Sequence, residues 1–136
     1  MATPYHHALS SCKKWGGVVA DYQPIHDWFD ASKEHLATFQ HRALRHHTQG
    51  IFECERVFGT TITISTGRSV PTRLIGEQHV LEDMGFIPTL ADWLKNIKLQ
   101  PWMTPKSKLP VAELEKTITE DPQNPTLAKE FANANL

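Results

Sequence analysis

The chain lacks most of the patterns that announce the commoner chemistries. Its 136 residues include only two cysteines, Cys12 and Cys54. These fall in different expected elements and form no Cys-x-x-Cys pair, which excludes a zinc ribbon and favours reduced thiols over a disulfide framework. No apolar run approaches the ~20 residues needed to cross a bilayer, and the N-terminus does not read as a signal peptide, so a soluble, cytoplasmic protein with no membrane partner is expected. Neither sign of charge dominates, since 14 lysines and arginines face 15 acidic residues. That balance excludes a global basic field for non-specific nucleic-acid binding and leaves only local contacts. Fixed-spacing metal motifs of the His-Glu-x-x-His kind are missing too.

Histidine, by contrast, is plentiful. Seven of the eight precede residue 50, and the window His41-Arg-Ala-Leu-Arg-His46-His47 holds three of them beside Arg42 and Arg45. Imidazole titrates near neutral pH and is the commonest protein metal ligand, so this density points to a metal site, proton chemistry or an anion pocket.

Periodicity and punctuation predict an α+β domain that is mainly helical. A short helix is expected over residues 5–14, closed by Gly16-Gly17, then a linker over Val18–Gln23. Pro24 fits the first turn of a second helix. Leu36, Phe39, Ala43, Gly50, Ile51, Cys54, Val57 and Phe58 fall on one face at 3.6 residues per turn, predicting a long central helix from Lys33 to Phe58. Gly50 within it suggests close approach of another backbone or a ligand. Residues 60–65 alternate polar and β-branched side chains, Thr66-Gly67-Arg68 signals a turn, and Val70–Ile75 is expected to return as an edge strand containing Pro71. Thr89 then caps a helix over Leu90–Ile97. The expected domain is residues 1–103, followed by a proline-rich arm over 104–136, extended or partly disordered, with one short helix over 111–118.

On a helix, His46 and His47 point about 100° apart, so they rarely share one ion. A site must therefore recruit ligands from several elements. The candidate metal ligands are His7, His26, His46, His47 and His79. Glu77 is the candidate catalytic base, provided the chain around Gly76 is extended or turning so that Glu77 and His79 project together. Arg42 and Arg45 are candidates for anion binding through forked hydrogen bonds. The competing reading is structural: a histidine on an apolar helix face is more often a hydrogen-bonded core residue than a ligand. The order His7, His26, Asp27, Asp83 also matches that of metal-dependent phosphohydrolases of the HD type, although only 18 residues separate the first two histidines, little room for the usual intervening helices.

The blocks Ile25-His-Asp-Trp-Phe-Asp-Ala-Ser-Lys33, His41-Arg-Ala-Leu-Arg-His-His-Thr-Gln-Gly50, Ile75-Gly-Glu-Gln-His-Val80 and Glu82-Asp-Met-Gly85 resemble a small family of uncharacterised His-rich proteins in bacterial and phage genomes. The resemblance covers residues 7–103. It implies a shared domain and a phage or bacterial setting, with no transferable reaction. Two functions follow as expectations. One is divalent-metal binding, zinc before other ions, with metal-dependent hydrolysis as its extension. The other is a non-enzymatic phage accessory protein whose hairpin edge and C-terminal arm bind a phage or host partner or a second copy of the chain.

Overall fold

In a computed structural model, residues 2–104 are described. They divide into two units, one ending at Trp93 and one beginning at Leu94. Most of the expected arm, with its short helix, lies outside the described residues.

The first unit is α+β. Helix α1 (Pro4–Trp15) starts one residue before the expected residue 5, with the Thr3 hydroxyl accepting from the His6 backbone and Pro4 at the first turn. It stops at Gly16, whose φ of 86° suits glycine. Helix α2 (Val19–Asp30) begins earlier than expected and absorbs the supposed linker, leaving Pro24 inside the helix. Two contacts explain this. The Val18 amide donates to Asp21 Oδ2 at 2.8 Å, capping the helix from its third residue. Tyr22 is fully buried, and its hydroxyl donates to the Gly16 carbonyl.

The long central helix does not exist. Residues Ala31–Glu34 and Phe39–Leu44 form two 3-10 turns, and only Thr48–Phe58 forms an α-helix, α3. Leu36, Phe39 and Val57, counted on the apolar face, are exposed. The break is made by His47, which is extended (φ −165°, ψ 176°) and caps α3 by accepting the Gly50 amide on Nδ1. This folds the chain back so tightly that a Cβ on Gly50 would lie 1.8 Å from the Arg45 carbonyl oxygen. The close approach expected at Gly50 is thus to its own upstream backbone.

A hairpin follows, with β1 (Thr61–Thr63) antiparallel to β2 (Ser69–Pro71) and Ile62 opposite Val70. Asp21 fastens it to α2 by accepting from the backbone amide and the hydroxyl of Ser65. The second strand is far shorter than expected, because the chain enters helix α4 (Thr72–Met84) straight after Pro71. Thr72, Ile75, Gly76, His79 and Val80 make its buried face. Three of those five are polar or lack a side chain, and the buried Gln78 adds a fourth polar position, so hydropathy alone conceals the helix. Helix α5 (Leu90–Leu94) is shorter than expected and has no buried residue, although Trp93 Nε1 donates to the His46 carbonyl.

The apolar core gathers Tyr22, Ile25, Phe29, Ile51, Cys54 and Ile75 from α2, α3 and α4. Among the described residues, no helix is long and apolar enough to cross a membrane.

Two predictions follow from this packing. Gly50→Ala should lower stability by about 1–3 kcal/mol or more, read by urea unfolding, because its methyl group meets backbone rather than a yielding side chain. Burial pushes the Cys54 thiol from its ordinary 9.0 up to about 12. A raised pKa in the folded state contributes stability that is complete below pH 9.0 and is lost as the pH climbs toward 12. Stability should decline over that window in the wild type and decline less in Cys54→Ala.

Candidate metal centre

Three helices and the turn before α3 converge on a buried polar cluster. α2 and α4 each carry a histidine and an aspartate four residues apart, His26 with Asp30 and His79 with Asp83, a spacing that sets both side chains on one helical face. α1 contributes His7, and the backbone break contributes His46. All four histidines are fully buried, while the carboxylates of Asp30 and Asp83 are 6% and 3% exposed.

The closest convergence is of four atoms. His46 Nε2 lies 3.2 Å from His79 Nε2, 3.0 Å from Asp83 Oδ2 and 3.5 Å from Asp30 Oδ1. His79 Nε2 lies 3.4 Å from that Asp30 oxygen and 3.2 Å from that Asp83 oxygen. Ligand-capable atoms of His7, Asp30, His79 and Asp83 likewise lie within 4.8 Å of one another.

A surrounding shell holds these groups. His7 bridges two carboxylates, with Nδ1 2.8 Å from Glu82 Oε1 and Nε2 3.1 Å from Asp83 Oδ1. Burial acts to lower the His7 pKa, but hydrogen bonds to Asp83 and Glu82 outweigh it and raise the value above 6.5. His26 contacts His79, Nδ1 to Nδ1, at 2.9 Å. Burial, reinforced by repulsion from His79 and His7, drives the His26 pKa down to about 2, so its ring is neutral. Burial would raise both aspartates, yet hydrogen bonding from His46, joined at Asp83 by His7, holds each below the usual carboxylate range. Phe29 stacks on the His79 ring with centroids 4.8 Å apart, forming an apolar wall. Asp30 Oδ2 and His46 Nδ1 are buried without a hydrogen-bond partner.

The structure thus brings together His7, His26, His46 and His79 of the sequence candidates, with His26 set behind His79. His47 is turned away, and both its nitrogens are used locally, Nδ1 by Gly50 and Nε2 in donating to the Ala43 carbonyl. Glu77 stands apart from the cluster. The chain around Gly76 is helical rather than extended, so residues two apart diverge, and Glu77 pairs with Arg73 at 3.6 Å. Arg42 and Arg45 also diverge. Arg42 approaches Asp83 Oδ1 at 3.9 Å, whereas Arg45 donates to the Trp28 carbonyl and stacks on the Trp28 ring. Arg45 also lines a cleft of about 220 Å³ with His47 and Glu53. Asp27 of the His-Asp pair is exposed and accepts from Gln23. The aspartate that reaches the histidines is Asp30, one turn later. Sequence reasoning passed over Asp30, although two His-x-x-x-Asp pairs on separate helices were there to be read.

Residues 2–103 match the family model described as domain of unknown function DUF6915. The chain belongs to the DUF6915 family. No curated protein and no solved structure gives a match. Membership in DUF6915 carries no reaction, so the chemistry of this domain must be argued from the cluster itself.

One prediction separates Asp27 and Asp30 of α2 from each other and from Asp83. In metal-free protein, Asp83→Ala should cost about 3–5 kcal/mol, since it strips the imidazoles of a buried partner. Asp30→Ala should also destabilise, whereas Asp27→Ala should stay within about 0.5 kcal/mol of wild type. Equal effects of Asp27→Ala and Asp30→Ala in chemical denaturation would contradict the assignment.

Proposed function

We propose that this DUF6915 domain binds one divalent transition metal through His46 Nε2, His79 Nε2, Asp30 and Asp83, and that zinc suits the site best. The observation that carries this reading is the spacing of the four ligand atoms. Bonds of about 2.0–2.1 Å to a tetrahedral ion place its ligands about 3.3–3.4 Å apart. Five of the six separations among these atoms are known, and they run from 3.0 to 3.5 Å. Two imidazoles and two carboxylates suit a borderline ion such as zinc, and the two negative charges balance a dication.

Imidazole hydrogen bonds alone account poorly for the same atoms. Each Nε2 faces both aspartates and the other ring, yet carries at most one proton. His7 is better placed as support for Asp83 than as a ligand, because its nitrogens are both engaged by carboxylates.

The reading stops at metal binding. A hydrolase needs a coordination position open to water and a base beside it. Here the ligand side chains are at most 6% exposed, and Glu77, the base expected from sequence, faces Arg73. Four protein ligands drawn from α2, α4 and the turn before α3 describe a metal that ties elements together.

Elemental mass spectrometry on untagged protein purified without chelator should find near-stoichiometric metal. His46→Ala, His79→Ala and Asp30→Ala should abolish it, and Glu77→Ala should retain it. Free zinc at about 100 times its Kd should stabilise the wild type by about 2.7 kcal/mol, and cobalt substitution should give the absorption bands of a tetrahedral site. Wild-type protein that stays metal-free after exposure to zinc, manganese and nickel would defeat the proposal.

A further inference from the structure

His79 has two ring nitrogens, and only one points into the centre. Which of them carries the proton is decided outside the ligand set, by a chain of buried groups that starts at Gln78.

The side-chain amide nitrogen of Gln78 donates to the His7 carbonyl at 3.0 Å and to Glu82 Oε1 at 2.9 Å. Both partners are acceptors, so the amide cannot be turned over without setting oxygen against oxygen. Its own oxygen therefore faces Ser11 Oγ at 2.8 Å. An amide oxygen has no proton, so Ser11 must donate. The longer 3.1 Å contact from Ser11 to the His7 carbonyl is the weaker claim on that hydrogen. With its single proton committed, Ser11 can only accept across the 2.8 Å contact to His26 Nε2. His26 therefore carries its proton on Nε2, and the ring, fully buried with a hydroxyl and an imidazole rather than a carboxylate at its two nitrogens, leaves a lone pair on Nδ1. The 2.9 Å contact between His26 Nδ1 and His79 Nδ1 then requires the proton to sit on His79 Nδ1.

We propose that Gln78, Ser11 and His26 are positioning residues that fix the proton of His79 on Nδ1, leaving Nε2 as a lone-pair donor to a divalent cation. This deepens the metal reading above and rests on it. With Nε2 bare, His79 sets its lone pair 3.4 Å from Asp30 Oδ1 and 3.2 Å from Asp83 Oδ2. Those contacts are repulsive until a cation lies among them. Metal-ligating histidines ordinarily donate their other ring N–H to a carboxylate, carbonyl or water. Here a second, neutral histidine takes that place, so the relay orients His79 without adding charge to the centre.

The test is a long-range ¹H–¹⁵N correlation spectrum of the histidine rings in full-length, chelator-treated protein at neutral pH, followed by zinc titration. The expected pattern is a proton on His26 Nε2 with His26 Nδ1 bare, and a proton on His79 Nδ1; zinc should then shift the His79 Nε2 resonance. A proton on His26 Nδ1, or a bare His79 Nδ1, would overturn the relay. Ser11→Ala, a substitution that suits a helix interior, should release His26 from its single tautomer and weaken zinc binding about 10- to 100-fold. Unchanged tautomers and affinity in that variant would also overturn the relay, and if the variant does not fold, the wild-type spectrum decides alone. The two readings fail separately. Expected tautomers without zinc uptake would defeat the metal centre, whereas zinc uptake with the opposite tautomers would defeat the relay.

Discussion

The carboxylate of Asp83 meets three buried imidazoles, and the packing of the first unit is arranged around that meeting. Its Oδ1 accepts from His7 of α1, while its Oδ2 faces His46 from the turn before α3 and His79 from its own helix. An isolated carboxylate buried to this degree would be strongly disfavoured. With His7 and His46 as hydrogen-bond partners it stays ionised despite burial, and its charge becomes the reason that three separate chain segments share one interior.

That interior has two halves. Tyr22, Ile25, Phe29, Ile51 and Ile75 supply ordinary apolar burial, while His26, Asp30, His79 and Asp83 occupy core positions with polar groups that must all find partners. The ring of Phe29 against His79 marks the boundary. The polar half holds a hydrogen-bond chain through His26, Ser11 and Gln78 and the convergence of His46 Nε2, His79 Nε2, Asp30 Oδ1 and Asp83 Oδ2.

The fold class, α1, the hairpin and its turn, and the end of α3 at Gly59 were legible in the sequence, because local signals decide them. Proline and a capping threonine set the start of α1, and glycines end both helices. The errors share a physical origin. Residues 33–58 carry apolar side chains at helical spacing, but Leu36, Phe39 and Val57 face solvent, and the capping bond from Gly50 to His47 breaks the helix where no proline marks it. The error at α4 ran the other way. Its buried face carries Gln78 and His79 beside Gly76, so a genuine amphipathic helix looked like a strand running into a short helix or turn.

By itself, the sequence determined that histidine is concentrated in one part of the chain, that any shared site would have to draw on several elements, and that His46, His79 and His7 belonged among the candidates. Spacing along the chain carries that much, since adjacent helical residues diverge and residues four apart align. Only the tertiary structure decided that Asp30 rather than Asp27 joins the cluster, that Glu77 faces Arg73, and that His47 serves α3 as its cap. Those choices depend on which helical face is buried, and burial is fixed by partners up to 76 residues away along the chain, beyond the reach of any local pattern.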